Sequence, residues 1–245
     1  MERLQKILSQ SGVCSRRNAE KYMLDGRVTV NGEVITEMGF KVKRGDVVCV
    51  DGKQIQRENK VYYVMYKPRS VLCSVSDDRD RTCIVDLIEC EERVYPVGRL
   101  DYDTTGVIFL TNDGEFSNTI THPKHGIAKK YELTCEGILT KEQIRALESG
   151  VVLDDGYKTS PAKVWITKKN MERKWTQLEL TIYEGHNRQV KRMLEAVGSR
   201  VKRLHRAQIS FIGCKDLKPG EYRLMKPFEV ERLRNEALGI ETKLK

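Results

Sequence analysis

The sequence predicts an α+β protein in two parts. A small N-terminal αα-plus-hairpin domain spans residues 1–58. A larger domain over residues 59–235 carries a mixed, mostly antiparallel β-sheet flanked by helices, and a polar C-terminal tail follows at 236–245. Three observations support this division. Helical spacing dominates the first 25 residues and gives way to an Asn-Gly turn between short alternating runs. From Val61 onward the apolar residues alternate in strand-length runs, with few but well-marked helices. The polar stretch 51–60 separates the two patterns and reads as a linker.

In chain order, Leu4, Ile7 and Leu8 share one helical face and Gly12 stops that segment. Ser15 is placed to cap a second helix with inward residues Ala19, Tyr22 and Met23, and Gly26 ends it. Val28 and Val30 alternate into the Asn31-Gly32 turn, Val34 and Ile35 begin the return strand, and 47–50 adds another after Gly45-Asp46. In the larger domain, strands are expected at 61–65, 94–97, 106–111, 129–135, 162–167 and 177–183. Thr140 and Gln143 form a capping box for a helix ending near Gly150. A last helix over 187–197 carries Val190, Met193, Leu194 and Val197 on one face, and the tail from Leu233 is expected to fray.

Charge narrows the function. The 245 residues hold 44 Lys and Arg against 35 Asp and Glu, a formal net charge of +9, which favours an acidic polymer as partner. Total charge does not separate a nucleic-acid binder from an ordinary basic enzyme, so its placement matters. Arg16, Arg17, Lys21 and Arg27 cluster on and after the second helix, where they can meet phosphates or simply form a solvated face. On the 187–197 helix, Arg188, Lys191, Arg192 and Glu195 repeat the apolar offsets shifted by two residues, roughly 200° around the axis. Between Arg188 and Arg206, seven Lys and Arg, among them Lys202 and Arg203, stand against one Glu. That density favours an RNA-backbone surface over mere solvation.

Other classes are set aside by what the sequence does not contain. The seven cysteines form no C-x-x-C pair and no His sits at ligand spacing, so neither a disulfide framework nor a metal site is expected, and the reading is a reduced, cytoplasmic chain. No apolar run exceeds strand length, so no membrane partner is expected. With no dinucleotide fingerprint and no P-loop, no cofactor is expected. The segment 98–106 is dense in polar and charged groups between two strands. Taken alone, Asp101 and Asp103 read as turn carboxylates, and Tyr131, alternating with Leu133 and Cys135, as a core tyrosine.

Longer motifs change that reading. The landmarks from Arg3 through Gly12, Ser15-Arg16-Arg17, Ala19, Gly26-Arg27-Val28 and Val30-Asn31-Gly32 to Gly45-Asp46 resemble an S4-type RNA-binding domain. The resemblance implies that Arg16, Arg17, Lys21 and Arg27 meet folded RNA. Gly98-Arg99-Leu100-Asp101, continuing through Thr105-Gly106 to Leu110-Thr111-Asn112-Asp113-Gly114, is similar to the signature of the RsuA/RluB group of ribosomal RNA pseudouridine synthases. Three supporting motifs follow the expected order: Tyr66-Lys67-Pro68, Lys129-Lys130-Tyr131-Glu132 and the run from Glu184 to Met193.

The resemblance implies a cofactor-independent isomerase that converts a uridine to pseudouridine. It makes Asp101 the catalytic aspartate, Tyr131 the aromatic group stacked on the target base and Lys191 the cation paired with Asp101. Arg99, with Arg188 in support, would help displace the nucleotide, and Arg192, Lys202 and Arg203 would touch RNA. Family members more often carry Arg at the positions of Lys191 and His186; lysine keeps the charge but lacks the two-pronged geometry. The wording Asp101-Tyr102-Asp103-Thr104 and the complete S4-like part resemble the large-subunit, 23S RluB branch more than the small-subunit, 16S RsuA branch. The implied partner is ribosomal RNA or an assembling ribosomal subunit, bound by a monomer. Two alternatives stand beside this: a catalytically silent ribosome-assembly factor, and a DNA-binding regulator that accounts only for the N-terminal part. A carboxylate in a phosphate-binding cleft repels the ligand, so a pure binder has no use for Asp101.

Overall fold

The computed structural model describes residues 1–240. It divides into two compact units, Met1–Val61 with Cys90–Arg93, and Tyr62–Glu89 with Val94 onward.

In the first unit, β1 (Glu2–Arg3) leads into α1 (Leu4–Gln10) and α2 (Arg16–Leu24), whose Ser15 cap accepts from the Asn18 amide at 3.2 Å. Strands β2 (Val28–Val30), β3 (Glu33–Val34), β4 (Lys41–Val42), β5 (Val48–Val50) and β6 (Lys53–Gln54) follow. The sheet order is β3-β2-β5-β6, with β1 paired to β4. Leu4, Leu8, Ala19 and Met23 are fully buried against Val28, Val30, Val48 and Val50, so one core joins the helix pair to the sheet. Asn31 and Gly32 both take positive φ, as the tight hairpin turn requires. The expected linker at 51–60 is corrected at its start. Asp51 (φ 50°) and Gly52 (φ 76°) form a second two-residue turn that folds β6 back on β5.

The second unit is built on one sheet. Its elements are β7 (Tyr62–Lys67), β8 (Tyr95–Val97), β9 (Thr105–Thr111), α3 (Gly114–Thr121), β10 (Lys129–Glu136), α4 (Lys141–Ser149), β11 (Lys163–Asn170), β12 (Trp175–Ile182), α5 (Gln189–Ala196), β13 (Val201–Ile209), β14 (Ile212–Gly213), β15 (Tyr222–Leu224) and α6 (Pro227–Leu238). Among the described residues the strand order is β11-β12-β10-β13-β9-β7-β15, with β14 on β13 and β8 on β9. Every pairing is antiparallel except β9 with β13. Val64, Val107 and Phe109 of the sheet close on Phe116 and Ile120 of α3 and on Val230 and Leu233 of α6. The Thr140–Gln143 capping box forms in both directions at the start of α4.

Three differences from the sequence reading bear on the site. The longest strand, β13, carries the charged sequence Val-Lys-Arg-Leu-His-Arg-Ala-Gln-Ile, which hides its alternation. α5 begins at Gln189 and not at 187, because Arg188 adopts a left-handed conformation (φ 50°) just before it. The C-terminal expectation is corrected as well. α6 runs to Leu238 with Leu233 fully buried and Ala237 nearly so, and Arg234 reaches Asp113 at 2.6 Å, so the chain does not fray from Leu233. The remainder of the expected tail, 241–245, lies outside the described residues. Among the described residues no helix is long and apolar enough to cross a membrane, and all seven cysteines are free.

Candidate active site

The segment between β8 and β9 carries Arg99, Asp101 and Asp103, and a buried lysine fixes its shape. Lys67, with no exposed surface, donates from Nζ to the carbonyls of Pro68 at 2.9 Å, Thr104 at 2.9 Å and Tyr102 at 3.4 Å. Three carbonyl dipoles take the place of water around the ammonium. Burial lowers the Lys67 pKa, while Cys73, Asp103 and Asp101 oppose that shift. The Ser70 amide donates to the Tyr102 carbonyl at 2.8 Å and Arg69 Nε to the Asp103 carbonyl at 3.2 Å. The Tyr66-Lys67-Pro68 motif therefore shapes the aspartate segment.

α5 faces that segment. Lys191 Nζ stands 2.9 Å from Asp101 Oδ2 and 2.6 Å from Asp103 Oδ1, with only 11% of its side chain exposed. The hydrogen bond from Lys191 holds the Asp103 carboxyl below its ordinary value. One lysine thus bridges two carboxylates, which a single ammonium can do because its three N–H groups point apart. The start of α5 is pinned by Glu184, which accepts from Tyr157 Oη (2.7 Å), the Ser160 amide (2.9 Å), Ser160 Oγ (3.0 Å) and Gln189 Nε2 (2.6 Å). Burial works to raise the Glu184 pKa, yet these donors bring it below the ordinary value. His186 stacks on Tyr157 with ring centroids 3.7 Å apart, so the position that more often carries arginine in the family is packed here against an aromatic ring.

The third wall comes from the sheet. Tyr131 on β10 is paired with Arg206 on β13, and a register shift between Lys130 and Tyr131 sets that pairing, since Lys130 faces Gln208. The extra residue, Ala207, advances β13 by one position, so Arg206 stands on the same sheet face as Tyr131. Without this bulge the arginine would face the other side. The result is a cavity of about 340 Å³ lined by Arg99, Asp101, Tyr131, Arg188, Lys129 and Arg206 over an apolar floor that includes Ile182, Val190 and Leu204. Burial and then the charge of Arg206 push the Lys129 pKa down to about 8. Among the described residues no group of three or more metal-ligating side chains forms.

The structure does not bring every expected residue here. Arg16, Arg17 and Lys21 are exposed on α2 of the first unit. Arg27 lies 3.8 Å over the Tyr22 ring and donates from Nε to Asp51 at 2.9 Å. Arg192 pairs with Asp154 and with Asp155 at 2.7 Å and keeps only 14% of its side chain exposed, so internal carboxylates already engage it. Of the cations on the polar face of α5, both Lys191 and Arg192 face carboxylate-bearing loops. Arg203 pairs with Thr134, next to the Glu132–His205 pair, on the sheet face away from Tyr131, and the exposed Lys202 sits 3.8 Å from Glu136. Sequence reasoning missed Arg206 and Lys129 as cavity residues and Asp103 as the second partner of Lys191. A strand assignment at 201–209 would have put Arg206 in the sheet, but the bulge that turns it inward leaves no sequence signal.

A basic N-terminal αα-hairpin unit and a sheet unit with an aspartate, a tyrosine and a lysine at one cavity define an RNA-modifying enzyme. Residues 61–196 match the family described as RNA pseudouridylate synthase, and residues 2–48 match the S4 domain. The chain belongs to the RNA pseudouridylate synthase family and is a pseudouridine synthase with an N-terminal S4 domain. It is 46% identical, over 96% of both chains, to ribosomal large subunit pseudouridine synthase B of Bacillus subtilis. It is 38% identical to dual-specificity RNA pseudouridine synthase RluF of Escherichia coli K12, covering 90% of this chain and 74% of that one. The crystal structure of a pseudouridylate synthase superposes with a TM-score of 0.67 at 31% identity, covering 95% of this chain and all of the other.

Proposed function

We propose that this chain isomerises a specific uridine of large-subunit, 23S ribosomal RNA to pseudouridine, acting as a monomer in the cytoplasm. The observation that carries the reading is the meeting of Asp101 and Tyr131 at one cavity, with the Lys191 ammonium 2.9 Å from the Asp101 carboxylate. The large-subunit assignment rests on the Bacillus relative, which matches this chain end to end. We assign RNA binding to residues 1–58, with Arg16, Arg17 and Lys21 as phosphate contacts, and the chemistry to residues 59–235.

Chemistry on a base requires the nucleotide to leave its stack. Arg99, exposed at the cavity, and Arg188 are placed to hold the backbone or fill the gap. Tyr131, 7% exposed, offers a ring against which the extruded uracil stacks. Asp101 reacts as a carboxylate, with the ammonium of Lys191 2.9 Å away to orient it. The bond from ribose C1′ to uracil N1 breaks, the ring turns, and C1′ joins C5. The product is an isomer, so no electron donor or acceptor enters. Three roles for Asp101 fit this geometry: attack on the sugar, attack on the ring, or removal of a sugar proton.

The test is incubation of the purified protein with unmodified 23S and 16S RNA, free and in assembling subunits, followed by carbodiimide labelling and primer extension. One new pseudouridine in 23S RNA supports the proposal. A mark confined to 16S RNA overturns the substrate, and tight binding without any mark favours a silent assembly factor.

A further inference from the structure

Among the described residues of the larger unit, two buried side-chain atoms have no hydrogen-bond partner, Thr104 Oγ1 and Arg206 Nη2, and both residues line the Asp101–Tyr131 cavity. Arg206 is 4% exposed. Its Nε donates to the Val107 carbonyl at 2.8 Å, and among the described residues no carboxylate forms an ion pair with it. The cations Lys67 and Lys129 both feel its charge, which lowers the pKa of each. A buried guanidinium with no ion-pair partner is costly, and the one hydrogen bond to the Val107 carbonyl offsets only part of that cost. The bulge at Ala207 nonetheless turns this side chain to the reacting face. A charge kept at such a site calls for negative charge supplied by the ligand.

We infer that Arg206 is the counter-charge of the target uracil: its guanidinium stabilises the negative charge that moves onto the ring carbonyl oxygens as the uridine reacts. The inference rests on the uridine isomerisation proposed above, and it holds for each of the three roles of Asp101. If the C1′–N1 pair leaves with the ring, through attack on the sugar or loss of its C2′ proton, the anion is shared by N1, O2 and O4. If the carboxylate adds to ring C6, the C5–C6 π pair moves onto O4. Closing the C1′–C5 bond uses a ring electron pair, C5 loses its proton to water and N1 gains one, so the electrons balance without a co-reactant. Arg206 suits this task better than Lys129, whose pKa of about 8 lets its charge lapse as the pH rises past that value, whereas the guanidinium stays charged.

Arg206→Met removes the charge at similar volume, and Arg206→Lys keeps it. Single-turnover release of tritium from 23S RNA labelled at uridine C5 reads the chemistry, and RNA affinity is measured beside it. Arg206→Met is expected to lose about 100-fold or more in rate, with RNA affinity within about threefold and a melting temperature no lower than that of the wild type. Arg206→Lys is expected to recover at least about tenfold of the loss. A rate within about threefold of wild type, or a loss carried wholly by RNA affinity, overturns the inference. A second readout is independent of turnover and of the folding of the variants. The wild-type protein should bind the 5-nitrouracil monoanion, a ring already carrying the charge, more tightly than neutral uracil, and equal binding overturns the inference. If the wild type releases no tritium from any ribosomal RNA, the proposed activity fails, and the nitrouracil comparison still decides the role of Arg206.

Discussion

At the scale of single residues, the site is organised by lysines in three different settings. Lys67 is buried among carbonyls, Lys191 bridges two carboxylates, and Lys129 is half-buried with an arginine nearby. Lys129 is expected to titrate near pH 8 by NMR of its ε-methylene, and a value close to 10.5 would contradict the burial argument. Between pH 8 and 10.5 the unfolded chain holds a proton there that the folded chain has released, so this group's contribution to stability rises with pH across that window. Arg206→Met should move the titration upward by removing a repelling charge. Lys191→Met leaves Asp101 and Asp103 facing each other without their cation. Because both carboxylates are partly exposed, the expected loss is modest, about 1–2 kcal/mol in a denaturant melt, while activity falls much further. Asp101, Tyr131 and Lys191 were legible in the sequence only through long motifs. Taken singly, an Asp in a turn and a Tyr in an alternating strand are ordinary. Asp103 and Arg206 were not legible as site residues, because the contacts that define them join segments about 75 or more positions apart.

At the scale of elements, the narrow parallel seam between β9 and β13 brings the aspartate segment to the tyrosine floor. It consists of His205 opposite Thr105 and Arg206 opposite Gly106. Gly106 has φ +120°, and a Cβ there would meet the Arg206 carbonyl oxygen at 2.2 Å and its nitrogen at 2.6 Å. Backbone cannot retreat as a flexible side chain can, so Gly106→Ala is expected to cost more than about 3 kcal/mol. Urea unfolding would measure this, and a loss under about 1 kcal/mol would show that the seam is soft. The strands with apolar alternation, the Asn31-Gly32 hairpin and the capped helices α2 and α4 could be read from sequence, because local chemistry specifies each one. β13 could not, because its stability comes from β10 and β9 on either side and its own residues are mostly charged or polar. β6 was overlooked although Asp51-Gly52 marked its turn, and α6 was read as tail because its burial depends on Phe109 and Phe116.

At the scale of the whole molecule, a net charge of +9 predicts RNA binding that weakens steeply with salt. Replacing Arg16, Arg17 and Lys21 with glutamine should lower the slope of log affinity against log salt by about one for each phosphate that is no longer neutralised. Arg192→Gln should leave that slope unchanged, because Asp154 and Asp155 already occupy the guanidinium. Equal slopes for the triple variant and the wild type would remove α2 from the RNA interface. The two-part organisation and the basic character were plain from composition and periodicity, whereas the division between free and paired cations depends on which loops face them in the fold. The most direct test of the account is to compare Asp101→Asn with the wild type on 23S RNA, measuring binding and single-turnover pseudouridine formation on the same samples. Binding within about threefold of wild type with no pseudouridine formed is the expected result, since the amide keeps the shape of the side chain and loses its charge. Pseudouridine formation at a rate comparable to wild type would contradict the assignment of the chemistry to this cavity.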